Sequence, residues 1–288
     1  MKFAICNETF GDWPIERGFQ AARKFGYTGL EVAPFTLAKS VYEISDAQRT
    51  EYRQGAAEHG LEVIGLHWLL AKTSGYNLTT NDLNIRAKTS DYFCALIQLC
   101  SDLGGTLMVL GSPLQRNFPD TMTHDEAMTN AADLLATVVP SLERLGIQIA
   151  IEPLGPQEGN FLNYAFQARK LIDMIGSSNI KLHLDVKAMS SEGEPIESII
   201  RKHSDILIHF HANDPNLLGP GMGDVDQKPI FDALKEIKYS GWVSVEVFDY
   251  SPGVETILGE SMANMLSVIE SRLQASEGES NVRDPRLQ

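Results

Sequence analysis

Short apolar runs rich in β-branched residues recur eight times along this 288-residue chain, and an amphipathic stretch separates each from the next. They span residues 2–7, 29–33, 62–67, 106–110, 147–152, 180–185, 205–211 and 242–247. Strand-like and helix-like segments that alternate in this way are typical of parallel sheets. Eight of them favour a closed (β/α)8 TIM barrel over an open doubly wound sheet, which usually has fewer strands.

The barrel is expected to occupy residues 1–272 as a single α/β domain. In helical stretches such as 93–103 and 128–145, apolar residues recur at the i, i+3, i+4 and i+7 positions of one helix face. Residues 273–288 are polar and lose this period, so we expect a disordered tail there. The turn after the first strand, NETFGDWP, lacks the G-x-G-x-x-G pattern, which argues against a dinucleotide site.

Charge and hydropathy exclude several classes of partner. The chain has 24 Lys and Arg against 38 Asp and Glu, a formal net charge of −14, and no basic patch, so no nucleic acid is expected to bind. No apolar run approaches the roughly 20 residues that cross a bilayer, and the first residues lack a signal-peptide core. We therefore expect a cytoplasmic protein with no membrane partner. Three cysteines cannot form a disulfide framework.

Each strand from the fifth to the eighth carries a metal-ligating type of residue at or near its carboxyl end: Glu152, Asp185, His211 and Glu246. Barrel active sites gather at that end of the strands, so the four side chains are expected to converge. Buried carboxylates at close range raise one another's pKa unless a counter-ion is present. The pattern therefore predicts one divalent cation, and ligands without cysteine suit Mn²⁺, Mg²⁺ or Co²⁺ better than a structural zinc.

Taken singly, each of these residues has a structural explanation. An acid at a strand end often caps a helix or pairs with a loop cation, and a histidine in HFH is often a core residue with a satisfied ring. Four such residues on four successive strands favour the metal site.

The runs IEPL, HLDV, HFHAND and KYSGWVSVEVF, with GMGDVD before the seventh helix, resemble the xylose isomerase-like TIM barrels, above all ketose 3-epimerases and inosose isomerases. The resemblance covers nearly the whole chain. It implies that Glu152, Asp185, His211 and Glu246 bind the metal, with Mn²⁺ as the first choice and Zn²⁺ as a further alternative to Mg²⁺ and Co²⁺. It also implies a sugar or polyol as the substrate.

The same resemblance implies a reaction. The metal would stabilise an enediolate, and Glu152 and Glu246 would exchange a proton on opposite faces of one carbon of a ketose or keto-polyol. That is the chemistry of an epimerase. If one carboxylate acts alone, the proton returns to the neighbouring carbon, as in an aldose–ketose isomerase.

Further candidates surround this group. Glu158, His67, Trp68 and Lys187 are predicted to bind substrate, and Asp214, three residues after His211, is predicted to orient that ligand. Glu31, and Asn7 or Glu8, are weaker candidates at the ends of the second and first strands.

Two positions depart from the 3-epimerase pattern, which has a histidine and an arginine where this chain has Ala188 and Leu217. These departures leave open which sugar binds, which carbon reacts and whether the substrate is phosphorylated. A keto-inositol dehydratase and a non-catalytic, partner-dependent barrel subunit stay as alternatives. An endonuclease IV-type nuclease is not expected, because its three-metal cluster needs more histidines than these positions supply. Whether the barrel forms a homo-oligomer stays open.

Overall fold

Eight parallel strands close into a barrel in the order in which they follow one another along the chain, and β8 pairs with β1. The coordinates are a computed structural model, which describes residues 1–279. The strands are β1 Lys2–Cys6, β2 Gly29–Val32, β3 Glu62–Leu66, β4 Leu107–Leu110, β5 Gln148–Ile151, β6 Ile180–Asp185, β7 Leu207–Ala212 and β8 Trp242–Val245.

Helices connect the strands and surround the barrel. They are α1 Ile15–Lys24, α2 Asp46–Glu58, α3 Leu83–Leu103, α4 His124–Leu145, α5 Ala165–Ile175, α6 Val186–Met189, α7 Ile196–Lys202, α8 Gln227–Glu236 and α9 Val254–Glu279. Short 3₁₀ helices at Asn7–Phe10, Pro34–Thr36 and Val41–Glu43 follow the first two strands. Apolar side chains from the strands and the inner helix faces form a continuous core, which places the polar groups of the barrel at its mouth.

Local sequence signals fix where the helices begin and end. Thr123 and Glu126 form a reciprocal capping box at the start of α4, and Ser45 and Gln48 do the same for α2. Gly146 ends α4 in the left-handed region, with φ of 66°, where a side chain is disfavoured. These ends return the chain to the bottom of the barrel before each strand.

Strand register sets the height of the functional residues. In the pairing of β6 with β7, His183 lies beside His209 and Asp185 beside His211, after a shift between Leu182 and His183. Since strand side chains alternate in direction, these four residues form two neighbouring layers inside the barrel.

The predicted (β/α)8 TIM barrel is confirmed, and each predicted strand lies within two residues of an observed one. The last helix continues to Glu279, past residue 272, where the barrel is predicted to end. Residues 280–288 of the predicted disordered tail lie outside the described residues. Among the described helices, none has the length and apolar character needed to cross a membrane.

Candidate active site

The four predicted metal ligands meet at the mouth of the barrel, and all are buried. Glu152, Asp185 and His211, together with His183, each offer a ligand atom within 4.8 Å of the others. Glu246 adjoins this group through its Oε2 atom, which lies 3.0 Å from Nδ1 of His211. The barrel therefore brings together side chains from β6 and β7 and from the residues directly after β5 and β8.

Hydrogen bonds orient Asp185 on both of its oxygens. Oδ1 accepts from the backbone N–H of Ala188 at 2.8 Å, and Oδ2 accepts from Nδ2 of Asn213 at 2.6 Å. Oδ1 of Asn213 in turn accepts from the backbone N–H of Lys187 at 2.9 Å. Asn213 is a residue that the sequence analysis missed, although it stands two residues after His211 in the HAND run. Each carboxylate oxygen retains a lone pair for a cation.

Glu31 fixes the imidazole of His211 from the opposite side of the barrel. Its carboxylate lies 3.1 Å from Nε2 of His211 and 2.8 Å from Nε2 of His209. Burial opposes its ionisation, but attraction to His209, His211 and His67 lowers the pKa of Glu31 well below its usual range. Because the Glu31 carboxylate contacts Nε2 of His211, Nδ1 of the same ring faces Glu246 and the other predicted ligands.

Asp214, predicted to orient His211, has a different set of partners. Its carboxylate accepts hydrogen bonds from the backbone N–H groups of Gly221 and Val225, both at 3.1 Å, and from the side chain of Gln227. These bonds hold the GMGDVD loop that precedes α8. The contact with the imidazole of His211 is made by Glu31.

Glu152 is held by close packing and by a buried cation. A Cβ on Gly111 would overlap its carboxylate, which would then have to move. The Arg116 guanidinium, 2% exposed, donates to the backbone carbonyl of Glu152 at 2.6 Å. Burial, followed by repulsion from Glu246 and Asp185, raises the pKa of Glu152 well above its usual range.

The two glutamates differ in their electrostatic surroundings. Trp68 donates to Oε1 of Glu246 at 2.6 Å, and the imidazole of His211 faces Oε2. Burial opposes ionisation here as well, but His211 outweighs it and lowers the pKa of Glu246. Burial and repulsion from Glu246 raise the pKa of Asp185 to about 6. Glu246 is therefore the most readily ionised of the three predicted acidic ligands.

A narrow cavity opens onto this group. Among its lining residues are Glu152 and Glu246 and three of the predicted substrate-binding residues, His67, Trp68 and Glu158. Trp68 takes a left-handed backbone conformation, with φ of 51°, which directs its ring nitrogen to Glu246. Such strained residues cluster at functional sites.

Lys187, the fourth predicted substrate-binding residue, lies at the edge of the cavity. Its Nζ is 2.7 Å from Oε1 of Glu158 and 4.5 Å from the ring centre of Phe248, which also lines the cavity. Neither residue that departs from the 3-epimerase pattern has a polar side chain. Ala188 is buried, with its backbone N–H bonded to Asp185, and Leu217 is 42% exposed.

The donor set fits a divalent cation. Oxygen ligands with imidazole are suited to Mn²⁺, Co²⁺ or Zn²⁺, and a cation would relieve the repulsion that raises the pKa of Glu152 and Asp185. In the described part of the chain, the buried ring nitrogens of His183 have no hydrogen-bond partner, although Nε2 lies 3.7 Å from Oε1 of Glu152. His183 was also missed, and its signal was the alternation in HLD, which points it the same way as Asp185.

Comparisons with known proteins find relatives that cover most of the chain. D-psicose 3-epimerase of Agrobacterium fabrum is 26% identical over 245 residues, covering 82% of this chain and 81% of the relative. A solved structure of an L-ribulose 3-epimerase superposes with a TM-score of 0.83 at 20% identity, covering 99% of this chain and 100% of that chain. An IOLI protein with a bound zinc atom superposes with a TM-score of 0.73 at 22% identity, covering 94% and 99%.

The Agrobacterium fabrum relative is named as an epimerase. Because epimerases are isomerases, this confirms the prediction of an isomerase. The family model described as "Xylose isomerase-like TIM barrel" matches residues 19–268, which confirms the resemblance seen in the sequence. The chain therefore belongs to the xylose isomerase-like TIM barrel family.

Proposed function

We propose that this chain is a sugar epimerase that inverts a carbon next to the carbonyl of a ketose or keto-polyol, with Glu152 and Glu246 as the proton-transfer groups. One observation carries the proposal. Two buried glutamates that directly follow β5 and β8 line one cavity, and Asp185 and His211 adjoin them. Two carboxylates that reach the same small space are what removal and return of a carbon-bound proton require.

The different pKa shifts of the glutamates suit opposite roles. Glu246, with its lowered pKa, is ionised and serves as the base that removes the proton. Glu152, whose pKa is raised by burial and by repulsion from Glu246 and Asp185, is the group that delivers a proton to the other face of the carbon. In the reverse direction the roles exchange. A divalent cation held by Glu152, Asp185, His211 and Glu246 would supply stabilisation of the negative charge that develops on the substrate.

The cavity walls support a polyhydroxylated substrate. Trp68 and Phe248 supply aromatic surfaces that exclude water, while His67 and Glu158 supply polar atoms for hydroxyl groups. Lys187, paired with Glu158, keeps that carboxylate at the cavity wall and adds a donor for a substrate oxygen. The proposed cation is Mn²⁺, which carboxylate-rich ligand sets favour. The net charge of −14 supports the absence of a nucleic-acid partner.

A substrate panel tests the proposal. The metal-loaded protein is incubated with D-psicose, L-ribulose and keto-inositols, and products are separated and identified by NMR. We expect an epimer of at least one substrate, and we expect none after a chelator has removed the metal or in Glu246→Gln. Loss of water from a keto-inositol in place of epimerisation would assign a dehydratase. No product from any substrate by metal-loaded protein would favour a subunit that needs a partner.

A further inference from the structure

A second group of ligand-type side chains combines residues that follow β1, β3 and β8. Glu8, His67 and Glu246 each offer a ligand atom, and these atoms lie within 4.8 Å of one another. Oε2 of Glu8 is 2.9 Å from Nε2 of His67, and Nδ1 of His67 is 3.8 Å from Oε1 of Glu246. These three residues are called the Glu8 cluster below.

In this cluster, the side-chain polar atoms of Glu8 and His67 lack hydrogen-bond partners in the described chain, whereas those of Glu246 are bonded to Trp68 and His211. The close approach of Glu8 to His67 does not have hydrogen-bond geometry, so both oxygens of Glu8 and both ring nitrogens of His67 have no hydrogen-bond partner within residues 1–279. His67 is fully buried, and the side chain of Glu8 is 9% exposed. Buried polar atoms without partners cost free energy, and a bound cation is one way to satisfy them.

The charge at the mouth points the same way. Six carboxylates lie there, and two cationic side chains, Arg116 and Lys187, lie among them; the carboxylates are Glu8, Glu31, Glu152, Glu158, Asp185 and Glu246. Carboxylates therefore outnumber the Lys and Arg side chains at the mouth, which favours the binding of cations there.

Of the two ligand groups that include His67, the Glu8 cluster is the one in which a carboxylate, that of Glu8, has no hydrogen-bond partner in residues 1–279. A third set, Cys6, Glu31, His67 and His211, also has ligand atoms within 4.8 Å of one another. However, Glu31 already pairs with His209 and His211, so its carboxylate is not free for a further cation.

We propose that the Glu8 cluster binds a second divalent cation, Mn²⁺ or Zn²⁺, and that Glu246 is shared between the two sites. Two carboxylates and one imidazole form the ligand set, with open positions for solvent or substrate oxygens. This binding does not depend on the proposed epimerase activity, since it follows from the residues alone.

Metal counting tests the proposal. The full chain is stripped with a chelator and dialysed against Mn²⁺, and the bound metal is measured by mass spectrometry, with far-ultraviolet circular dichroism to confirm folding. Wild-type protein is expected to hold about two equivalents, and Glu8→Gln and His67→Gln about one each. Glu158→Gln is the matched control: it removes a carboxylate at the same mouth but outside the cluster, and is expected to keep about two.

Electron paramagnetic resonance of the Mn²⁺ protein gives a second readout. Two ions that share Glu246 are expected to show a spin-coupled spectrum that becomes the spectrum of a single ion in Glu8→Gln. If wild type and Glu8→Gln both hold about one equivalent, the second site is overturned and the proposed function stands. If wild type holds no metal, both proposals are overturned. The use of two independent variants covers the case in which one fails to fold.

Discussion

Acidic side chains at the barrel mouth are held differently at the ends of β5–β8 and at the ends of β1–β3. In the β5–β8 half, Asp185 accepts from Ala188 and Asn213, and Glu246 accepts from Trp68, which follows β3. In the β1–β3 half, Glu31 pairs with His209 and His211, but Glu8 has no such partner within the described residues. Ligands that are oriented in advance need little reorganisation when a substrate binds. Asp185 and Glu246 are thus oriented in advance, whereas Glu8 would be oriented only by an added ligand such as the proposed second cation.

The largest effect is expected for Glu246→Gln, because an amide cannot accept the substrate proton. We expect turnover of any accepted sugar to fall about 10³-fold, a typical contribution of a positioned acid or base. The same substitution in the other half, Glu8→Gln, is the comparison, with an expected loss below about tenfold. Steady-state kinetics with measured metal content checks both. Equal losses for the two variants would remove the distinction between the halves.

Gly111→Ala tests whether packing sets the position of Glu152. A methyl group at residue 111 would overlap the Glu152 carboxylate, which must then move. We expect turnover to fall about 10²-fold, since small misplacements of a reacting group have effects of this size. Unchanged kinetics in Gly111→Ala would show that the carboxylate is free to shift. A thermal melt separates this local effect from loss of the fold.

Glu31→Gln tests the support that the β1–β3 half gives to the other half. Glu31 holds Nε2 of His211, so its loss is expected to weaken Mn²⁺ binding about 10- to 100-fold, as for other groups that orient a metal ligand. Isothermal titration calorimetry measures the change. Affinity equal to that of the wild type would contradict this supporting role.

Metal affinity is also expected to depend on pH. Burial and repulsion from Glu246 raise the pKa of Asp185 to about 6, so below that pH a proton occupies the carboxyl group and competes with the cation. Apparent affinity for Mn²⁺ should therefore fall about tenfold per pH unit below about pH 6 and level off above it. Calorimetric titrations between about pH 5 and about pH 7.5 measure the profile. A flat profile would show that Asp185 is ionised throughout.

The smallest effect is expected for Lys187→Met. Loss of the ion pair with Glu158 removes one donor from the edge of the cavity and leaves the proton-transfer groups in place. We expect KM to rise about fivefold, which corresponds to about 1 kcal/mol for one hydrogen bond, with kcat almost unchanged. A fall in kcat as large as that of Gly111→Ala would place Lys187 among the groups that act on the reacting carbon.

Sequence patterns predict the barrel and the four ligands because both depend on local signals. Buried parallel strands give short apolar runs, and each ligand stands at or near the end of such a run, as Glu152 does after β5. Gly111, Arg116 and Asn213 were missed because their roles depend on contacts between loops that follow different strands. Of the three, only Asn213 stands in a run that the sequence analysis singled out, HFHAND.

The residue that orients His211 shows the same limit. Asp214 was the prediction because it stands three residues away, whereas the observed partner, Glu31, is 180 residues away and meets His211 only because the barrel closes. By contrast, His183 and His209 stand two residues before Asp185 and His211, so strand alternation alone would have predicted their inward direction.

Solvent deuterium uptake tests the central proposal, proton transfer by Glu152 and Glu246, most directly. Metal-loaded protein is incubated in deuterated water with each sugar that it converts, and the recovered substrate and product are examined by mass spectrometry and NMR. We predict deuterium on the carbon next to the carbonyl, at a rate that falls to background in Glu246→Gln and after removal of the metal. Conversion of a sugar by the wild-type protein with no deuterium at that carbon would contradict the proposal.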